Sequence, residues 1–250
     1  MSDFKIERLA TGIKGLDKHM NGGWVKGSVN LVTGKTGTGK TAFSMSFLYA
    51  GATNKEPCLY VTTEERAEDV KNDIRAMFGW ELDSLVDQGK LHFLSIMPTL
   101  PTRSMGPKEV AQLVKLYIFN LTSKIELAVR KTKATRLVID SVSLVEMFIK
   151  DEYFAKVGLM QLVNKLKTLE ITSILTSTVP EASAALSGRG IVEYVVDAIV
   201  KLDFIPVTEE FKRTLLIRKM RRTNHSTLVH PLNIAKDGMK LIDVKGIKNL

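Results

Sequence analysis

The stretch Gly34-Lys35-Thr36-Gly37-Thr38-Gly39-Lys40-Thr41 decides the fold. It has the spacing G-x-x-x-x-G-K-[ST]. In that pattern the glycines let the backbone curl so that successive N–H groups face one concavity, the lysine reaches the β- and γ-phosphates, and the hydroxyl ligates Mg²⁺. Gly34, Thr36, Gly37, Thr38 and Gly39 are thus candidate phosphate-cradling positions, Lys40 the candidate phosphate cation and Thr41 a candidate metal ligand. The flanks are those the loop requires: residues 28–33 read as a buried strand, and residues 42–50 carry apolar side chains at helical spacing. The stretch implies a nucleoside triphosphate with a divalent cation.

Outward from the loop, strand-like runs at 28–33, 57–62, 91–96, 136–141, 171–177 and 197–203 alternate with helical runs at about 41–52, 65–78, 107–132 and 153–168. Strands apolar on both faces, separated by helices, predict an α/β fold with a mainly parallel central sheet flanked by helices. After residue 205, short runs at 214–218, 228–232 and 239–242 are separated by Asn, Asp and Gly, and predict antiparallel strands closing one edge. No internal repeat, low-complexity stretch or long linker interrupts the pattern, so one domain over residues 1–250 is expected. Segment 97–107, with Pro98, Pro101, Gly106 and Pro107, predicts an exposed loop.

With 250 residues, 44% hydrophobic and 25% charged, the composition is that of a soluble globular chain. No apolar run reaches the length of a membrane span and the first residues lack the basic-then-apolar plan of a signal peptide, so a cytoplasmic protein without a membrane partner is expected. The one cysteine, Cys58, lies in an apolar strand and predicts a buried, inert thiol. Four histidines are scattered without metal-ligand spacing. The net charge is +9, and residues 201–250 hold eleven Lys/Arg against five Asp/Glu. That segment reads as a nucleic-acid footprint, as phosphate-contacting residues, or as a solvated sheet edge carrying Lys against aggregation.

Hydrolysis needs more than a phosphate cradle: one carboxylate to hold the Mg²⁺ shell and another to orient the attacking water. Asp140 ends the apolar run that begins at Arg136, and a strand beside the phosphate-loop strand would deliver it to the metal. Glu64 and Glu65 follow the strand run at 57–62 and would share the same carboxyl-end crevice. Thr62-Thr63-Glu64-Glu65 contains T-x-x-E, so Thr62 is expected as an N-cap with Glu65 closing a capping box. That leaves Glu64 as the expected water-orienting base, with Glu65 as a helper.

Thr11-Gly12-Ile13-Lys14-Gly15-Leu16-Asp17, Gly22-Gly23, the phosphate loop and residues 60–65 resemble the signature run of the RecA-superfamily branch that contains the KaiC clock ATPases and the archaeal RadA paralogues. Phe78-Gly79-Trp80-Glu81-Leu82, residues 137–141, 193–197 and 218–223 resemble further blocks of that branch in the same order. The resemblance implies a RecA-like P-loop NTPase core that hydrolyses ATP with Mg²⁺, and it makes Trp24 and Trp80 packing residues. In hexameric relatives the run resembling Lys219-Met220-Arg221 reaches the neighbour's γ-phosphate. Lys219 and Arg221 are thereby implied as trans-acting catalytic cations of a hexamer-like ring; in a monomer they would be charges on an edge strand. Residues 179–190 lie where RecA-like proteins carry loops facing DNA or a central channel, which marks Arg189 as a candidate DNA contact.

Departures bear on function. Glu193-Tyr194 stand where the autophosphorylating KaiC domain has a Ser-Thr pair, so self-kinase activity is not expected there. Residues 1–250 hold one copy of the core, leave no room for a RadA-type N-terminal domain and show no F-x-x-A polymerisation motif ahead of residue 11, and Arg222 replaces the usual glycine, so a full strand-exchange recombinase is not expected. Two readings follow. One is a RadA-paralogue accessory factor in DNA recombination and repair, with weak non-specific single-stranded DNA binding and a RadA-type recombinase as partner. The other is a KaiC-like signalling ATPase acting through protein partners without DNA.

Overall fold

The computed structural model describes residues 6–98, 106–143, 152–180, 187, 192–207 and 209–242. The elements run β1 (Arg8–Leu9), β2 (Trp24–Val25), β3 (Val29–Gly34), α1 (Lys40–Thr53), β4 (Cys58–Thr62), α2 (Ala67–Phe78), α3 (Leu82–Asp87), β5 (Leu91–Ser95), α4 (Pro107–Thr132), β6 (Arg136–Asp140), α5 (Glu152–Thr168), β7 (Thr172–Thr178), α6 (Val192–Val195), β8 (Ala198–Val207), β9 (Glu210–Met220), β10 (Val229–Ala235) and β11 (Gly238–Leu241). Nine strands form one sheet in the order β11-β10-β9-β8-β3-β7-β6-β4-β5. From β8 to β5 neighbours are parallel, and from β8 to β11 they are antiparallel. The α/β architecture with an antiparallel C-terminal edge is therefore present as expected.

Two apolar layers sandwich the sheet. On one face Val32, Tyr60, Val138, Ile174 and Val200 pack with Phe43, Phe47 and Leu48 of α1. On the other, Leu31, Val61, Ile139, Leu175 and Ile199 pack with Ile118 and Leu121 of α4 and Leu159 and Leu162 of α5. Alternate strand residues supply the two layers, as the period of two requires. Trp24 is fully buried, and Trp80 stacks on Tyr49 with ring centroids 3.9 Å apart, so both tryptophans are packing residues.

Several boundaries differ from the sequence reading. The phosphate-loop strand β3 lies between β7 and β8, so β6 is not its neighbour; Asp140 approaches from one strand further away. Helix α2 begins at Ala67 with Arg66 as its N-cap, which removes the Thr62 capping box. The Thr62 hydroxyl instead closes a tight turn, accepting the Glu65 N–H at 3.1 Å and donating to the Glu65 carbonyl at 2.6 Å. Helix α3 and the β1–β2 ribbon were not anticipated, being too short for a periodic signal. Most of the loop expected over 97–107 lies outside the described residues, and Pro107 opens α4.

Arg136, at the start of β6, is 1% exposed. Its guanidinium donates to both Glu56 carboxylate oxygens at 2.7 and 3.0 Å, and to the carbonyls of Ala10 and Phe47 at 2.8 and 2.9 Å. Removing the Glu56 charge strands a buried cation, so Glu56→Gln is expected to cost about 3 kcal/mol in urea unfolding. Burial pushes the Cys58 thiol up to about 12. Its thiolate is then absent at neutral pH, and a thiol-specific reagent should label Cys58 only under denaturing conditions.

Candidate functional site

β3 ends at Gly34, and α1 starts at Lys40, so the loop between them lies at the carboxyl edge of the central strand. Gly34 admits no side chain: a Cβ there would stand 2.4 Å from the Leu202 carbonyl oxygen of β8 and 2.8 Å from Thr38 Oγ1. Gly39 has φ of 101°, a left-handed turn that aims the first amides of α1 into the loop. Thr38 is buried and its hydroxyl donates to the Lys35 carbonyl at 2.8 Å, so its side chain braces the loop from inside. Lys40 Nζ donates to the Gly34 and Lys35 carbonyls at 2.9 and 3.0 Å. Burial lowers its pKa, while Asp140 and Glu64 pull it back up.

A cleft of about 380 Å³ opens over this loop, within the range of small-molecule sites. Thr36, Gly37, Gly39, Lys40 and Thr41 form its floor; Glu64, Glu65, Asp140 and Ser141 stand on one wall, and Arg213 and Ile234 also line it. The sequence candidates from the loop and from β4 and β6 are therefore in one place.

Asp140 is the most heavily bonded group in the cleft. Its Oδ2 accepts from Thr41 Oγ1 at 2.8 Å and from the Tyr60 hydroxyl at 2.6 Å, and its Oδ1 accepts from Thr176 Oγ1 at 2.5 Å. With its proton directed to Asp140, the Thr41 hydroxyl keeps its lone pairs for a ligand. A hydroxyl and a carboxylate in contact suit Mg²⁺, a hard cation that takes a few protein oxygens and completes its shell with water and phosphate. No cluster of three or more His, Cys, Asp or Glu side chains offers another metal site among the described residues.

Glu64 accepts a short hydrogen bond from the Ser141 hydroxyl, which in turn accepts the Ser143 N–H at 3.1 Å. Thr63 laces the same edge, its hydroxyl donating to the Ser141 carbonyl at 2.7 Å. The Glu64 carboxylate is therefore tethered at the end of β4 beside Asp140. Glu65 also lines the cleft, and its pKa is raised, first by partial burial and then by Asp140, Asp73 and Glu64.

Three contributors were missed from sequence. Tyr60 lies inside the strand run 57–62 with nothing local to single it out, and Thr176 sits on β7, whose place beside β6 emerges only from the strand order. Arg213 reaches the loop from β9, donating to the Gly37 carbonyl at 3.3 Å while lying over the Phe204 ring at 5.1 Å. Its signal was the cross-strand pairing of Phe204 with Arg213, legible only once the β8–β9 register is known.

Lys219 and Arg221 lie elsewhere. Leu202 sits beside Gly34 and is paired with Leu215, whereas Lys219 is paired with Ile199. The four-residue step from Leu215 to Lys219 carries the chain roughly 13 Å toward the opposite edge of the sheet. Neither side chain faces its own phosphate loop. Lys219 Nζ donates to the Glu193 and Val196 carbonyls at 3.0 and 2.7 Å, and burial lowers its pKa. Arg221 stands 3.6 Å from Asp197 and is 54% exposed. Arg189 lies outside the described residues.

A phosphate loop between a central parallel strand and the first helix, with a strand-end aspartate against its threonine, defines a RecA-type P-loop fold. A family model described as "ATPase: KaiC" matches residues 9–246, and the chain belongs to this KaiC ATPase family. It is 35% identical to a UPF0273 protein of Thermotoga maritima over 96% of this chain and 98% of that protein. It is also 35% identical to the circadian clock oscillator protein KaiC of Thermostichus vulcanus, covering 93% of this chain but only 44% of that longer protein. The crystal structure of a KaiC-like protein from the hyperthermophilic archaeon Pyrococcus horikoshii superposes with a TM-score of 0.81 at 33% identity, over 95% of this chain and all of that one.

Lys40→Ala deletes the cation that spans the loop, and MgATP affinity measured by calorimetry should fall at least a hundredfold while the circular dichroism spectrum stays native. Glu64→Gln should keep nucleotide affinity and lose most turnover in a phosphate-release assay, on the order of a hundredfold, with Glu65→Gln much milder.

Proposed function

We propose that the protein is a slow, Mg²⁺-dependent ATPase of one domain over residues 1–250, acting in the cytoplasm as a nucleotide-driven switch read by protein partners. The contact between Thr41 and Asp140, with Lys40 on the floor and Glu64 on the wall of one cleft, carries this reading. In it, residues 34–41 would cradle the phosphates, and Thr41, with Asp140 acting through a water of the metal shell, would hold a Mg²⁺ whose charge offsets that of the phosphates. Glu64 takes the proton from a water whose oxygen bonds to the γ-phosphorus as the bond to the ADP oxygen breaks. Ser141 holds the Glu64 carboxylate in place for that transfer.

In this reading the assembly is a hexamer-like ring. Lys219 and Arg221 lie across the sheet from their own loop, so a catalytic role for either requires a neighbouring copy. Arg221, half exposed, is the freer of the two to reach out. Lys219 is engaged with helix-end carbonyls and serves in this reading by supporting that edge.

DNA recombination and repair with a RadA-type partner is the second reading, favoured by the net charge of +9. Against it, three of the eleven cations of residues 201–250 are paired locally, Lys201 with Asp203, Lys212 with Glu210 and Arg221 with Asp197, which trims the charge this segment offers. Among the described residues no helix is long and apolar enough to cross a membrane.

Specific ATPase activity should rise with protein concentration, and mixing Lys40→Ala with Arg221→Ala subunits should restore part of it; turnover independent of concentration defeats the ring. Retention of single-stranded DNA at low salt, falling roughly tenfold or more toward physiological salt, would put the repair reading first. No retention at low salt removes it.

A further inference from the structure

Asp140 is held by hydroxyls from three separate elements: Thr41 from α1, Tyr60 from β4 and Thr176 from β7. A carboxylate has about four lone-pair sites, two on each oxygen. Tyr60 and Thr41 fill both sites of Oδ2, and Thr176 fills one of Oδ1. One site is left for a water of a metal shell. The three donors differ in firmness. Thr41 is part of the loop that receives the ligand, whereas Tyr60 is 1% exposed in the middle of β4, with its ring 5.5 Å from that of Phe93. Tyr60 pairs with Val138, two residues before Asp140 on β6, and its ring bridges that distance along the α1 face of the sheet. The phenol is thus the donor to Oδ2 that is anchored in the core and independent of ligand.

We propose that Tyr60 is a positioning residue of the metal site: its hydroxyl holds Asp140 Oδ2 against Thr41 and thereby aims the Thr41 oxygen at Mg²⁺. This rests on the MgATP reading above. Removing an outer hydrogen-bond partner of a metal ligand typically costs ten- to hundredfold in metal affinity.

Tyr60→Phe removes the hydroxyl and keeps the ring. The test follows a fluorescent ATP analogue as Mg²⁺ is titrated, with Mn²⁺ binding by electron paramagnetic resonance as a second readout. The metal-free nucleotide affinity should be unchanged, and the Mg²⁺ and Mn²⁺ midpoints should rise by about tenfold or more. Thr176→Val, which removes a donor to the other oxygen, should shift them less. An unshifted midpoint in a Tyr60→Phe protein with a native melting curve overturns the proposal, as does a larger shift from Thr176→Val. A merely structural role for Tyr60 would lower the melting temperature and leave the metal midpoint where it was. A wild-type protein whose nucleotide binding ignores Mg²⁺ would instead defeat the underlying MgATP reading.

Discussion

The buried guanidinium of Arg136 is the constraint on which the arrangement rests. It stands at the opening of the strand that ends in Asp140, and its donors go to the Phe47 carbonyl of α1, the Ala10 carbonyl of the N-terminal segment and the Glu56 carboxylate before β4. An arginine buried without these acceptors would be costly, so the four segments are held in one relative position. The guanidinium also lies over the Phe47 ring at 4.7 Å. Helix α1 is thereby fixed at its inner turns by a charge and at its first turn by the phosphate loop. The geometry of Thr41 against Asp140 is set from both ends of the same two elements.

That two-ended fixation explains how a site built from several strands stays in register. β3 supplies the loop, β4 supplies Tyr60 and leads to Glu64, β6 supplies Asp140, and β7, between β3 and β6, supplies Thr176. Parallel strands bring their carboxyl ends to a common edge, which is where open α/β sheets receive ligands. The hydroxyls that surround Asp140 compensate a carboxylate drawn toward the core. The two threonine side chains are short and the tyrosine ring is rigid, so its orientation follows from the backbone.

What was legible in the sequence was whatever carries a local signal. The phosphate loop has its own spacing, Asp140 stands out as the acid that closes an apolar run, and Glu64 as an acid directly after a strand, although the capping box that set Glu65 apart from it does not form. Tyr60 and Thr176 carry no such mark: a tyrosine in a strand is ordinary filler, and a threonine in β7 looks like any β-former. Their meaning depends on which strands are neighbours, and the order β3-β7-β6-β4 is a non-local fact. The T-x-x-E run misled for a related reason. The interaction between the Thr62 hydroxyl and the Glu65 N–H does form, but in a turn one residue short of the N-cap of α2. Arg213 was invisible because the hairpin that presents it extends beyond the short run that periodicity marked.

The β1–β2 ribbon and the segment between its two strands are tied to the far end of the chain. Arg8 donates to Thr223 Oγ1 across 215 positions of sequence, and Lys14 exchanges backbone hydrogen bonds with Met239 and Leu241 of the edge strand β11. Segments made early in translation therefore wait for partners made late, and the N-terminal strap closes only after the antiparallel edge exists. Such long-range closure slows folding, because loop entropy is spent before the contacts that reward it. On the ribosome the parallel core can assemble first, and the strap arrives as the final fastening, covering the β11 edge that would otherwise be open to strand pairing with another chain.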